Sequence, residues 1–270
     1  MRRIFFLMVM MMFAVSIRSA FAAIDTKKLS YENIQKVQQL LEKLQPMIKE
    51  REAARTLATL TFDELYAPLD EEEKTFLKEF QDIDAASVGV SIPFRGIATG
   101  KESLVVIKDQ RITMDGKPFI IPPQYLPVKT YEAYLDMMAA MRDDLGKRLY
   151  VESGYRSSAY QLYLFVYYLK NHDYSVEETA KWVALPGYSE HGAPEHQAID
   201  FINEEGISGE TNPKEFEDLE EYDWLLKNAG RFGFVLSYPR GQEGITFEPW
   251  HWRFEETMVK NQGSGMENEK

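Results

Sequence analysis

The sequence predicts an α+β protein: a small, mostly antiparallel sheet with flanking helices, preceded by a helical N-terminal segment. Apolar residues recur at three- and four-residue steps over residues 29–50, which is the spacing of a helix with one buried face. Short β-prone stretches separated by helical stretches follow from about residue 90. The apolar content of 44% and the aromatic content of 13% are typical of a folded domain.

The first residues predict a secretory signal over residues 1–22. Met1-Arg2-Arg3 is basic, residues 4–17 form an apolar run, and Ala20-Phe21-Ala22 has the small-x-small form of a cleavage site. An uncleaved anchor is the alternative, but the run is short for about 30 Å of hydrocarbon. We therefore expect an exported protein, periplasmic or associated with the cell envelope, with no stable membrane span after cleavage.

The net charge and the cysteine content limit the partners and the catalytic groups that this protein can use. The net charge of −12 disfavours a nucleic-acid partner, because phosphate backbones are bound by clustered Lys and Arg. The chain has no cysteine, which excludes disulfides and thiol catalysis. Any hydrolytic chemistry must then use hydroxyls, carboxylates, histidines or a metal ion.

We expect a helical N-terminal segment over residues 23–90. Ser30 is the predicted N-cap of its first helix, and Pro46 is expected to kink or end that helix. The charged run that begins at Asp70 predicts a solvated helix face. The helices within residues 29–85 are either a partner-binding or dimerising element or, as we favour, a cap on the domain that follows.

Residues 91–260 are predicted to form the main domain, and the polar residues 261–270 a disordered tail. The Asp115-Gly116 dipeptide predicts a turn. The expected strands are residues 103–107, 119–121, 149–152, 198–202, 234–237 and 250–254. The expected helices are residues 131–145, 157–170, 176–184 and 216–231.

The last predicted strand carries polar residues that could line a cleft. Because side chains alternate along a strand, His251 and Arg253 share one face, and Trp252 points to the other. Glu248 lies three residues before His251. The alternative is an ordinary surface strand whose other face is covered by tryptophan side chains.

A second stretch, PGYSEHGAPEHQAIDF, adds His191 and Asp200. Asp200 lies among apolar residues, where a carboxylate is costly to bury unless a cation pairs with it. Two histidines and one carboxylate with an open fourth position are a usual ligand set of catalytic zinc. Glu248 would then be a spare carboxylate able to take a proton from water.

A third stretch, VESGYRSSAYQ, places Arg156 between a strand and a helix. An arginine at such a position can project into a cleft and bind a carboxylate or a developing oxyanion. The alternative is a surface arginine packed against Tyr155 or Tyr160.

Together, SGYRS, then PGYSEH with a downstream AID, then EPWHWR resemble the zinc D-alanyl-D-alanine carboxypeptidases of the VanY type, over about residues 120–256. The resemblance places the chain with the lysostaphin-like, D-Ala-D-Ala metallopeptidase and hedgehog fold group. It implies His191, Asp200 and His251 as Zn²⁺ ligands, Glu248 as catalytic base and Arg156 as a catalytic and substrate-binding residue. Ser189 and Gln161 match recurrent positions near the substrate, and the implied partner is a peptidoglycan peptide.

The chain departs from the family pattern between the first two ligands. The pattern S-x-H-x-x-G-x-A-x-D places the aspartate seven positions after the histidine, whereas Asp200 is nine positions after His191. We interpret residues 192–195 as a longer loop. The competing ligand, His196, would lie roughly 13 Å from Asp200 along an extended backbone, so we favour His191.

The sequence thus predicts an exported zinc metallopeptidase acting on peptidoglycan stem peptides, most simply a D-alanyl-D-alanine carboxypeptidase. An endopeptidase of the same fold is one alternative. A non-catalytic cell-wall binding or regulatory module is another, although Glu248 argues against it because a binding site needs no spare base.

Overall fold

A computed structural model describes residues 24–193, 195–241 and 246–256 of this protein. The predicted signal (1–22) and tail (261–270) lie outside the described residues. The α-helices in the described part are α1 (Tyr31–Ala53), α2 (Phe62–Tyr66), α3 (Glu71–Gln81), α4 (Val128–Leu145), α5 (Ser158–Tyr168), α6 (Val176–Ala180), α7 (Pro213–Glu217) and α8 (Glu220–Asn228). The strands there are β1 (Leu104–Ile107), β2 (Arg111–Met114), β3 (Lys117–Ile120), β4 (Gln124–Pro127), β5 (Tyr150–Ser153), β6 (Ala198–Ile202), β7 (Phe234–Leu236) and β8 (His251–Phe254).

The N-terminal segment is helical, as predicted, and its helices begin at side-chain caps. The Ser30 hydroxyl accepts a hydrogen bond from the Asn33 amide at the start of α1. Capping boxes start α2 at Thr61 and α3 at Asp70. Pro46 does not end α1, because the helix continues to Ala53, and the kink that was the other expectation stays a prediction. Among the described residues, no helix has both the length and the apolar character needed to cross a membrane.

Two short two-stranded sheets precede the main sheet. β1 pairs with β4, and β2 pairs with β3, both antiparallel. Asp115 and Gly116 both have positive φ, at 52° and 71°, which is the backbone of the predicted tight turn between β2 and β3. The strand β4 was not predicted, since its four residues include a proline and lack clear alternation.

The main sheet has four antiparallel strands in the order β5-β6-β8-β7. One face carries Ile199, Phe201 and Trp252 into a core shared with α4 and α8. The opposite face carries Asp200 and His251. This alternation was predicted for both strands, and it leaves the polar side chains together on one side of the sheet.

A second apolar core joins the N-terminal helices to α5 and α6. Leu40, Leu44 and Phe80 from the N-terminal helices lie in the same cluster as Leu162 and Phe165 of α5. The segment therefore packs on the peptidase region, as expected of a cap. A partner-binding or dimerising role for residues 29–85 stays a prediction, and so do the predicted domain boundaries.

The predicted α+β class is confirmed, but two predicted helices have different bounds. The single helix expected over residues 216–231 is instead α7, α8 and a 3-10 turn at Ala229–Phe232. The helix expected over residues 176–184 ends at Ala180. Apolar periodicity continues through such breaks because both sides of a break face the same core.

Ser157 gives a test of how the two parts are joined. Its hydroxyl caps α5 by accepting from the Tyr160 amide, and it donates to the Leu60 carbonyl at 2.6 Å. We expect Ser157→Ala to lower the free energy of unfolding by about 2 kcal/mol, because the cap is lost and a buried carbonyl loses its donor. Urea denaturation measures the change. The matched control is Ser30→Ala, an exposed cap that should cost about 1 kcal/mol or less; equal losses would contradict the role assigned to the Leu60 contact.

Candidate metal centre

The pairing of β6 with β8 determines where two of the predicted metal ligands meet. Asp200 lies directly opposite His251 in the antiparallel register. Their side chains leave the sheet on the same face, and Asp200 Oδ1 lies 2.8 Å from His251 Nδ1. Neighbouring Cα partners in such a pair are close enough for short side chains to touch. The sheet register alone therefore brings together two predicted ligands that are far apart in sequence.

His191 joins this pair from a 3-10 turn, Glu190–Gly192. Its Nε2 lies 3.0 Å from Asp200 Oδ2, while its Nδ1 donates to the Gly154 carbonyl at 2.8 Å. That hydrogen bond orients the ring and leaves Nε2 facing Asp200. The following residue must be small, because a Cβ on Gly192 would lie 2.8 Å from the Arg156 carbonyl oxygen.

Glu190 orients the second histidine. It accepts a hydrogen bond from His251 Nε2 at 3.2 Å, which leaves His251 Nδ1 facing Asp200. Its other carboxylate oxygen accepts from Arg95, at 2.7 Å, and from Arg253. Burial acts to raise the pKa of Glu190, but His251 and Arg253 lower it to about 2, so the buried carboxylate is ionised.

The three side chains fit a zinc ion by donor type and by spacing. Single ligand atoms of His191, Asp200 and His251 all lie within 4.8 Å of one another. Tetrahedral zinc with bonds of about 2.0–2.2 Å keeps its nitrogen and oxygen ligands roughly 3.3 Å apart. The 3.0 and 2.8 Å separations of Asp200 from the two histidines are close to that value. Both histidines have their remaining ring nitrogen hydrogen-bonded, as metal ligands do.

The local charges favour a cation at this point. Burial acts to lower the pKa of His251, yet the Asp200 and Glu190 carboxylates raise it to about 10. Burial likewise acts to raise the pKa of Asp200, but His191 and His251 hold it far below its usual range. Two carboxylates thus stabilise positive charge on the imidazole. A divalent cation between the ligands satisfies the same electrostatic demand.

Glu248 stands beside the centre without belonging to it. Its Oε2 lies 3.9 Å from His251 Nδ1, and its backbone amide donates to the Tyr238 carbonyl. Burial, with Asp200 and Glu190 nearby, raises the pKa of Glu248 to about 7, although His251 acts to lower it. A carboxylate with a pKa near neutrality can both accept and return a proton, which suits a general base.

The other predicted site residues line one cleft with the metal ligands. The cleft has a volume of about 830 Å³, and Arg156, Gln161, Ser189 and Glu248 are among its lining residues. Arg156 is half-buried, and its Nη1 donates to Gln161 Oε1 at 3.0 Å. Gln161 is buried and donates to the Ala184 carbonyl at 2.7 Å, so it fixes the direction of the guanidinium. The structure therefore brings all the predicted site residues to one cleft.

His196 does not join the three predicted metal ligands. Its Nδ1 contacts Glu255 Oε2 at 2.7 Å, and it is absent from the group of side chains able to hold a metal. Among the described residues that group consists of His191, Asp200 and His251, which favours the register with the longer loop.

The sequence did not reveal Glu190 or Arg95 as site residues. Glu190 is next to His191, but no spacing rule predicts that it reaches a histidine on a distant strand. Arg95 comes from the extended stretch after the N-terminal helices, and its contact with Glu190 depends on the tertiary fold.

Comparison with known proteins supports the same family. The family model described as "VanY: D-alanyl-D-alanine carboxypeptidase" matches residues 123–257. A D-alanyl-D-alanine carboxypeptidase of Enterococcus faecalis (strain ATCC 700802 / V583) is 41% identical over 80 residues, which are 28% of this chain and 26% of that protein. The bifunctional D-Ala-D-Ala dipeptidase and D-Ala-D-Ala carboxypeptidase VanXYC of Enterococcus gallinarum is 30% identical over 145 residues, 49% of this chain and 74% of that protein.

The chain thus spans about a quarter of the first relative's length and about three quarters of the second's. Among solved structures, a mutant of the vancomycin resistance D,D-pentapeptidase VanY in complex with Zn(II) is 23% identical, with a TM-score of 0.42. That alignment covers 64% of this chain and 92% of the other.

The matched family and the His/Asp/His centre define a zinc metallopeptidase, which confirms the enzyme class and the cofactor predicted from the sequence. The chain belongs to the VanY D-alanyl-D-alanine carboxypeptidase family. The roles of individual site residues stay predictions.

The ligand register can be tested with two histidine variants. We expect His191→Ala to abolish stoichiometric zinc or cobalt binding, because a ligand is lost. His196→Ala should keep it, because that imidazole contacts Glu255 instead. Metal titration followed by cobalt absorption or calorimetry measures both. Loss of the metal in His196→Ala with retention in His191→Ala would reverse the assignment.

The role of Glu190 gives a second test. We expect Glu190→Gln to weaken zinc affinity about 10- to 100-fold, because groups that orient histidine ligands have effects of that size. Competition with a chromogenic chelator measures the affinity. Glu255→Gln is the matched control, since Glu255 also contacts Arg253 but touches no ligand. If both variants bind zinc equally well, Glu190 does not orient His251.

Proposed function

We propose that this protein is an exported D-alanyl-D-alanine carboxypeptidase that removes the terminal D-alanine from peptidoglycan stem peptides. The observation that carries the proposal is the convergence of His191, Asp200 and His251, with Glu248 beside them, in a cleft of a VanY-family chain. The two curated relatives described above are named for D-Ala-D-Ala peptides, which supports this substrate class. Export rests on the predicted signal.

In the proposed mechanism His191, Asp200 and His251 would hold the zinc ion. When bound there, zinc lowers the pKa of water and polarises a carbonyl group. Glu248 accepts the proton of the attacking water and passes it to the departing amine, so the proton ends on the released D-alanine. Its position beside the ligands, 3.9 Å from His251, is where a group that accepts and returns this proton is needed.

Arg156 is proposed to bind the terminal carboxylate or the developing oxyanion of the peptide. A guanidinium offers several N–H donors in a fixed plane, and its hydrogen bond to Gln161 leaves other donors for substrate. Ser189 is proposed as a further substrate contact, because it lines the same cleft. A terminal carboxylate bound by Arg156 distinguishes a carboxypeptidase from an endopeptidase, whose substrate continues past the cleaved bond.

Glu248→Gln tests the proposed base. The variant should bind zinc as the native chain does, because Glu248 is not a ligand, while kcat falls about 10²- to 10⁴-fold. The measurement is mass spectrometry of muropeptides after digestion, with metal content determined on the same sample.

In the same assay the native protein should release one alanine from pentapeptides, stop when chelator is added and recover with zinc. Cleavage inside the stem or cross-bridge would identify an endopeptidase instead. Near-native turnover by Glu248→Gln would remove Glu248 from the mechanism.

A further inference from the structure

The cleft continues well beyond the metal ligands. Its volume of about 830 Å³ is in the range that encloses a drug-sized ligand, and two alanine residues would fill a small part of it. The lining also includes four aromatic or imidazole side chains, which we call the aromatic arm: Tyr160, Tyr168, His172 and Trp182. The proposed mechanism uses none of them.

Trp182 is the most unusual member of the arm. It is 74% exposed, although a large indole is among the side chains that gain most from burial. Its ring stacks on His172, with centroids 6.2 Å apart and planes at 6°. One face of the indole is thus supported by the protein while much of the side chain stays open to solvent. Isolated exposed apolar residues are common, but this one lines the cleft that contains the metal centre.

The position of Trp182 is fixed by its surroundings. The amide of Trp182 donates to the Thr179 carbonyl at 3.0 Å, directly after α6. Thr179 is buried, and its hydroxyl donates to the Ser175 carbonyl. Val176, also buried, anchors the start of α6 in the core shared with the N-terminal helices. The exposed indole therefore stands on an anchored element.

The tyrosines of the arm are held by ring contacts along α5. Tyr160 stacks on Tyr163, and Tyr163 stacks on Tyr167, at 6.5 and 5.9 Å between centroids. Tyr167 meets the edge of Tyr168 at 5.4 Å. These contacts fix the ring planes of Tyr160 and Tyr168 in the wall of the cleft.

The charges of the cleft differ between its two ends. The carboxylates among its described lining residues are Glu190, Asp200, Glu210 and Glu248, and three of them, Glu190, Asp200 and Glu248, lie beside the histidine ligands. Next to Trp182 and His172 in the chain, the lining includes Lys181, whose ammonium pairs with Glu178 at 2.6 Å, and Asn171. The arm therefore offers flat aromatic faces bordered by an amide and by a lysine already paired with a carboxylate, and the arm itself holds no carboxylate to pair with a peptide ammonium group.

A pyranose ring matches this lining. Its axial C–H groups form an apolar face that packs on an aromatic ring, and its hydroxyl and acetamido groups hydrogen-bond to amides and amines at the edge. We propose that the aromatic arm binds an N-acetylated sugar ring of the glycan that carries the stem peptide. This inference rests on the proposed function, and it makes the glycan-linked peptide, rather than the free peptide, the preferred substrate.

The test compares two substrates that differ only in the sugar: a disaccharide-pentapeptide and the same pentapeptide free. The native protein should have the higher kcat/KM on the disaccharide form. Trp182→Ala should lower the ratio of the two kcat/KM values about ten-fold, through KM, since a stacked aromatic contact is worth about a decade in affinity. Trp182→Phe should keep most of the ratio, because phenylalanine retains an aromatic face.

Tyr31→Ala is the matched control, since Tyr31 is 75% exposed and lies outside the cleft. It should keep the native ratio. An unchanged ratio in Trp182→Ala would overturn the inference, and so would an equal loss on both substrates, which would assign the arm to the peptide.

Direct binding separates this inference from the proposed function. Saturation-transfer NMR with the disaccharide alone, on the zinc-loaded Glu248→Gln protein, should show contacts that Trp182→Ala removes. Such binding without hydrolysis of either substrate by the native protein would uphold the sugar site and reject the carboxypeptidase activity. Hydrolysis without any Trp182-dependent sugar contact would do the reverse.

Discussion

The structure of the site depends on one carboxylate, Asp200, held between two imidazoles. A buried carboxylate is tolerated only where positive charge or hydrogen-bond donors face it, and His191 and His251 face its two oxygens at 3.0 and 2.8 Å. The β6–β8 register provides this arrangement by setting Asp200 opposite His251. A slip of one residue would turn Asp200 into the apolar core and bring Ile199 to the cleft, so the sheet must be specified by its core face before a metal centre can form.

The N-terminal segment takes part in the site although the family match begins only at residue 123. Arg95 binds Glu190, which in turn orients His251. Val88 to Ile92 line the cleft beside Arg156 and Gln161. The helices before them share a core with α5. The helices of the segment stabilise the domain through the shared core, and the residues that follow them, up to Arg95, contribute to the geometry of the centre.

The local features of the fold could be predicted from the sequence, and the features set by distant contacts could not. The Ser30 cap, the Asp115-Gly116 turn and the strand 198–202 follow from short-range rules. The sequence did not show that α1 continues past Pro46. A proline inside a helix costs stability, and the packing of the buried face of α1 offsets that cost. The ligand set could be predicted because its motifs are specific. Glu190 and Arg95 could not, because their function comes from neighbours that the fold brings together.

We interpret residues 192–195 as a longer loop, and such a loop raises the question of why the centre is not displaced. A chain of ionic contacts begins at His196, directly after that loop. His196 contacts Glu255, Glu255 accepts from Arg253, and Arg253 donates to Glu190, which holds His251. His196, the residue after the loop residue Glu195, is thus bound to Glu255 instead of competing for the metal. Because Glu255 holds the His196 imidazole, His196 lies outside the group formed by His191, Asp200 and His251, and replacing either His196 or Glu255 is expected to leave those ligands in place.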